Sequence, residues 1–433
     1  MKPRSQLWYG ACHMRPRRAT ACTLIPRLTL SLTLVFAALV STGDAFGKEC
    51  TNPLINTCIN SDTYWPTPGP MRFATVAGTE TVGRGQVGFG MVATYLSRPV
   101  VLRVASPGPG GTDQYVVDNQ VTGNFLFAYG VTDRLQLDFA LPVTFIQSGA
   151  GTSPITGGAQ LHDTAVRDLR FGFAYALVPR ARVSPEASGD KSGAGHGWAV
   201  TSRFTVAAPT GDSTDFAGER TAVYAPGIAA DYRYKRLFAG LEVGARLRPV
   251  TEFAGARVGS QLVTAAGIGF DILDRELLSV MVEGRSYVNF AEQHDTAQST
   301  FGISSRANGK SITPAEWLLA VRSAPILAGD VAFFGGGGGP IPIGDAAVTV
   351  PRFRFILGAV YAPTQRDTDG DGVIDKNDMC PTRPGPRGGE HSGCPPEEHP
   401  ASTPAPDTRP ADTQLGPGAP AAPTPAAPEE KKP

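Results

Sequence analysis

Between Gln86 and Tyr361 bulky apolar residues recur at every second position. Residues 134–147 show it most cleanly. Leu135, Leu137, Phe139, Leu141, Val143 and Phe145 share one face, and Gln136, Asp138, Ala140 and Thr144 share the other. Leu169, Phe171, Phe173, Tyr175 and Leu177 oppose Arg170, Gly172, Ala174 and Ala176 in the same way. Leu237 to Leu247 and Leu278 to Val282 repeat the pattern. A period of two is that of a β-strand with one apolar face. A soluble sandwich strand alternates likewise, but here the second face is glycine, alanine and isolated charge while the first carries the bulk. That distribution predicts an apolar exterior around a polar lumen.

The predicted fold is therefore all-β, an antiparallel transmembrane β-barrel of about 12 strands over residues 86–362. The strands are expected near 86–98, 115–130, 134–147, 165–178, 198–208, 222–234, 237–249, 261–272, 277–288, 313–324, 329–335 and 350–361. Short links such as Lys235-Arg236 and Asp274-Arg275 alternate with longer ones rich in Gly, Ser, Thr and Asp, as periplasmic turns and extracellular loops do. Pro179 to Gly197 breaks the alternation and reads as a tolerated insertion. Gly335 to Gly339 reads as a loop free of side-chain constraint; the alternative is strand where a plug or neighbouring backbone packs closely. An even strand count places both termini on one side, the periplasm for an exported barrel.

The flanks differ in composition. Basic residues from Lys2 to Arg27 precede an apolar run, Leu28 to Val40, and the small residues Ser41 to Gly47, so 1–47 is expected to be a signal peptide. Residues 48–85 read as an irregular lead-in. Residues 396–433 are proline, alanine and threonine with few bulky apolar groups, and are expected to be a disordered tail. Past the leader the cysteines are Cys50, Cys58, Cys380 and Cys394, an even number suited to an oxidising compartment. Of three connectivities, Cys50–Cys58 with Cys380–Cys394 is the simplest.

The 433-residue chain has formal charge zero, which gives no electrostatic case for nucleic acid. Mean hydropathy is −0.10, and no apolar run after Val40 nears the roughly 20 residues of a helical span.

One segment carries distinct chemistry. Asp367, Asp369, Asp371, Asp375 and Asp378 place five carboxylates in twelve residues, with Gly372 where the chain must turn and the Val373 carbonyl offered next. A hard cation such as calcium takes six to eight oxygens, and alternate spacing lets successive carboxylates point inward. The stretch from Asp367 to Pro381, DTDGDGVIDKNDMCP, resembles a thrombospondin type 3 repeat. A barrel followed by such a repeat is similar to the OmpA family of Gram-negative outer-membrane proteins. The resemblance implies calcium as the cofactor, held by Asp367, Asp369, Asp371, Val373, Asp375 and Asp378. It also implies a repeat over residues 363–395, facing the periplasm. The family's C-terminal peptidoglycan-binding domain is expected to be replaced by the proline-rich tail.

No serine–histidine–acid constellation, HExxH or nucleotide loop is visible, so no enzyme is expected. The functional handle is the luminal charge: Arg170, Arg203, Arg233, Arg246, Arg248, Arg285, Arg322, Arg352 and Arg354 against Asp138, Asp231, Glu242, Glu283 and Glu316. Either these groups pair and fill the lumen, or they line a water-filled passage with a mild anion preference. The expected function is a porin-like passive channel or a structural envelope protein of the outer membrane, in contact with lipid and, if open, small solutes. The alternative is an anchored binding module whose repeat and tail recruit peptidoglycan or a periplasmic protein.

Overall fold

The alternating segments fold as one meander. The computed structural model describes residues 55–104, 111–156, 160–180, 182–183, 196–299, 302–343, 349–387 and 391–395. The signal segment, Cys50 and the 396–433 tail lie outside the described residues. Twelve long strands follow one another: β1 (Val87–Val104), β2 (Thr112–Gly130), β3 (Leu135–Ser148), β4 (Arg170–Val178), β5 (Gly197–Ala207) and β6 (Val223–Tyr234), then β7 (Leu237–Arg246), β8 (Gln261–Leu273), β9 (Leu278–Asn289), β10 (Ala315–Ile326), β11 (Val331–Pro340) and β12 (Phe353–Tyr361). Each pairs antiparallel with its sequence neighbours. β12 returns to β1, in a register running from Phe89 opposite Tyr361 to Ser97 opposite Phe353. The sheet is thus closed and leaves no edge.

The faces are inverted relative to a soluble protein. Phe89, Phe127, Leu137, Phe171, Trp198, Ile228, Leu241, Ile268, Val282, Leu319 and Leu357 all point outward and are exposed. Burial of one such side chain is worth roughly 1.5–3 kcal/mol. A band of them left in water would outweigh the net stability of a typical domain, about 5–15 kcal/mol. Near the end that carries both barrel termini, Phe89 and Tyr361 lie 5.4 Å apart and Trp198 and Tyr232 4.9 Å apart, the placement of an interfacial aromatic belt. Among the described residues no helix is long and apolar enough to cross a membrane.

The structure changes several expectations. The stretch 165–178 is not one strand: Ala165–Val166 forms a two-residue bridge to Val143 and Thr144, and the barrel strand begins at Arg170. The long links contain hairpins, Thr251–Phe253 with Ala256–Val258 and His294–Ser299 with Gly302–Ala307. Gly335 to Gly339 is strand, paired with both β10 and β12. The reason is space: a Cβ on Gly338 would fall 1.7 Å from the Trp317 carbonyl oxygen, and one on Gly336 2.6 Å from that of Leu319.

The lumen is not empty. Residues 55–86 run through it, and Tyr64, Met71, Phe73, Ala74, Val76 and Val82 are buried against Val92, Leu126, Phe238, Ala265, Met281, Leu318 and Ile356 of the wall. Phe73 packs over wall glycines: a Cβ on Gly240 would sit 2.5 Å from its ring and one on Gly267 2.7 Å. The small luminal residues make room for this segment.

Candidate functional site: an occupied barrel lumen

The N-terminal segment has almost no secondary structure of its own, so its backbone groups need partners elsewhere. The wall supplies them. Glu283 on β9 accepts the N–H groups of Ala74 at 2.8 Å, Thr75 at 2.6 Å and Val76 at 3.0 Å, with the Thr75 hydroxyl at 2.7 Å. Glu242 on β7 accepts the Ala77 N–H at 2.9 Å. Asp231 accepts the Thr79 hydroxyl at 2.6 Å, and Gln136 the Val82 N–H at 2.8 Å. In the opposite sense Arg203 donates to the Gly78 carbonyl at 2.8 Å, Arg246 to that of Thr63 at 2.8 Å, and Arg322 to that of Met71 at 3.0 Å. Charged wall groups and plug backbone therefore satisfy one another's hydrogen bonds.

Ion pairs complete the packing. Arg203 meets Asp138 at 3.0 Å, and Arg285 meets Glu242 at 3.0 Å. Arg354 bridges Glu316 at 2.7 Å and Asp62 of the plug at 2.8 Å. Glu276 turns inward from the β8–β9 turn and gathers Arg322 at 2.8 Å, Arg233 at 3.1 Å and Arg72 at 3.2 Å. Arg180 also reaches inside, to Asp231 at 2.5 Å and Glu80 at 3.1 Å. This gives the long Pro179–Gly197 link a structural use.

Of the residues read as luminal, Arg170, Arg203, Arg233, Arg246, Arg285, Arg322, Arg354, Asp138, Asp231 and Glu283 are buried inside the barrel. Glu242 and Glu316 point inward with partial exposure. Two differ. Arg248 lies beyond the end of β7 at the long-loop rim, where it pairs with Glu219. Arg352 precedes β12 and is exposed, because the strand begins at Phe353 and the side chain clears the wall. The plug residues are the part that the alternation could not reveal. Apolar Met71, Phe73, Val76 and Val82 in an irregular stretch, facing a wall unusually rich in glycine, were the available signal.

The acidic loop sits at the end that carries both barrel termini. Thr364 bridges Val82, Arg366–Asp367 pairs in parallel with Arg182–Val183, Arg366 meets Asp330 at 2.7 Å, and Lys376 donates to the Arg84 carbonyl at 2.9 Å. Carboxylate oxygens of Asp367, Asp369 and Asp371 lie within 4.8 Å of one another. Asp367 accepts the Gly370 N–H at 2.7 Å and the Gly372 N–H at 2.8 Å, and both glycines have positive φ. Burial, with the charges of Asp371 and Asp369, lifts the Asp367 carboxyl above its usual range against those two hydrogen bonds. Asp375 instead accepts from Thr368 at 2.6 and 2.7 Å, and Asp378 from the Cys380 N–H at 2.7 Å. The arrangement thus brings three of the five aspartates together. Cys380 and Cys394 form a disulfide across 14 residues, and Cys58 is buried and disulfide-bonded.

No protein-family model matches the chain, and no curated protein matches it. Solved structures do. An outer membrane channel from Pseudomonas putida F1 aligns with TM-score 0.42 and 14% identity, over 67% of this chain and 99% of that one. The NanC porin aligns with TM-score 0.37 and 7% identity, over 63% and 98%. The Ralstonia pickettii toluene transporter TbuX aligns with TM-score 0.30 and 10% identity, over 65% and 90%.

Proposed function

We propose that this protein is a porin-like β-barrel of a Gram-negative outer membrane whose N-terminal segment plugs its lumen. One observation carries the reading: a closed barrel with an apolar exterior and charged interior, in which residues 55–86 hold the interior charges. Passage of small solutes then requires the plug to loosen, and both termini face the periplasm. Planar-bilayer recording tests this. The full chain gives low conductance, and Glu283→Ala combined with Glu242→Ala, which frees the plug backbone, raises it several-fold. Silence from both proteins would leave a purely structural barrel.

The acidic loop fits calcium. Asp369 Oδ2, in the Asp367–Asp371 cluster, is buried with no hydrogen-bond partner, as is Asp378 Oδ2 further along the loop, so oxygen ligands are available. Asp367, Asp369, Asp371, the Val373 carbonyl, Asp375 and Asp378 would hold the ion. Bound calcium would neutralise the carboxylates and stiffen a collar against the barrel mouth. The docking of this loop on the barrel favours a collar over a free recruiting module. Calcium is expected to protect residues 363–395 from proteolysis; equal cleavage in calcium and in chelator would remove the assignment.

A further inference from the structure

Beside Trp65 of the plug the packed lumen keeps a cavity of about 80 Å³. That is room for several waters or a small organic anion. Arg170, Arg203, Arg246 and Arg285 line it, against two carboxylates, Asp138 and Glu242. Both carboxylates are committed, Asp138 to Arg203 and Glu242 to Arg285. Arg170 is 4% exposed and Arg246 5%, yet among the described residues neither has a carboxylate within ion-pair distance. Arg170 donates to the Asn124 side-chain oxygen at 2.6 Å, and Arg246 to the Thr63 carbonyl at 2.8 Å. Their guanidinium carbons lie 5.3 and 4.0 Å from the Trp65 ring centroid. The nearby acids are taken: Asp62 pairs with Arg354 and Glu219 with Arg248. Arg170 Nε, Arg285 Nε and Arg285 Nη1 are buried donors without an acceptor.

Two buried guanidinium charges beside one space, neither with a carboxylate partner, are costly unless something anionic completes them. Guanidinium forks match a planar carboxylate. The remaining lining includes Ala140, Ala225 and Val263, so the rest of the ligand meets apolar surface. We infer that this cavity binds a small carboxylate with an apolar body, held by Arg170 and Arg246 beside Trp65. The inference deepens the channel reading and rests on it for the ligand's role as a permeant solute, but not for its binding.

The test uses the full chain in detergent micelles, with sodium benzoate, sodium acetate, inorganic phosphate and sodium chloride at matched ionic strength. Benzoate and acetate are expected to raise the thermal midpoint saturably, and chloride is not. Arg170→Gln with Arg246→Gln should raise the half-saturating concentration at least tenfold. Gly227→Leu should do the same by filling the space, since a Cβ there has nothing closer than 3.5 Å. No saturable effect, an effect from phosphate alone, or one unchanged in these variants overturns the inference. If the variants fail to fold, Trp65 reports instead. With Trp8→Phe, Trp198→Phe and Trp317→Phe it is the only tryptophan of four. Saturable benzoate-dependent change in its emission supports the site, and its absence rejects it. Binding without conductance would reject the channel and keep the site; conductance without binding would do the reverse.

Discussion

Thr75 is held to Glu283 twice, through its N–H at 2.6 Å and its hydroxyl at 2.7 Å, both to Oε2, across 208 residues of sequence. The relationship ties an irregular segment to a barrel strand. It gives the buried Glu283 carboxylate its hydrogen-bond partners.

Glu283→Gln keeps the side chain's shape but replaces one accepting oxygen with a donor. The amide that stands in for Oε1 leaves the Ala74 N–H without its acceptor, and a buried backbone N–H left unsatisfied costs about 1–3 kcal/mol, so the variant should lose about 1–3 kcal/mol in reversible unfolding. Limited proteolysis should cut within 70–80 faster than in the wild-type chain.

Gly240→Ala and Gly267→Ala place a methyl 2.5 and 2.7 Å from the Phe73 ring. Overpacking of this kind costs about 1–3 kcal/mol. Gly284→Ala, on the outward side of β9 with nothing within 4 Å of its Cβ, should be near neutral. Unfolding midpoints of the three variants check the difference. Equal effects would mean that Phe73 does not lie over Gly240 and Gly267.

Much of this molecule was legible in its sequence. The period-two alternation located the barrel strands, and from Leu135 to Phe145 it assigned the outward face correctly, because inside and outside differ so sharply in chemistry. The Gly335 to Gly339 run left loop and strand open, with loop preferred, and the structure takes the strand alternative, because backbone crowding by Trp317 and Leu319 has no local signature to decide it. The split at Ala165–Val166 was not legible, because there the apolar pattern continues although the ladder does not. The plug escaped because its order comes from partners such as Glu283 and Arg203, more than 100 residues away. The acidic loop was the opposite case. Its spacing identified the cluster of Asp367, Asp369 and Asp371 locally, while the turning of Asp375 toward Thr368 had no sequence signal.

His162 on the long-loop side donates its N–H to the fully buried Asp215 at 2.8 Å, and its Nδ1 lies 2.9 Å from the same carboxylate. The hydrogen bond to Asp215, and then its charge, raise the His162 pKa. A raised folded-state value means stabilisation that is full below the unfolded value, near 6.5, and lost as pH rises through the folded value. The thermal midpoint should therefore fall from pH 5.5 to 8.5 more in the wild-type chain than in His162→Gln. A parallel fall in both would show that the pair is not coupled to folding.

The central claim is that residues 55–86 fill the barrel. A photo-crosslinking benzoylphenylalanine at position 73, in the full chain in outer-membrane vesicles, tests it most directly. Mass spectrometry is predicted to find adducts on Leu237–Arg246 and Gln261–Leu273, the strands that carry Gly240 and Gly267. No adduct on those strands, or adducts only on lipid or other proteins, would contradict a plugged lumen.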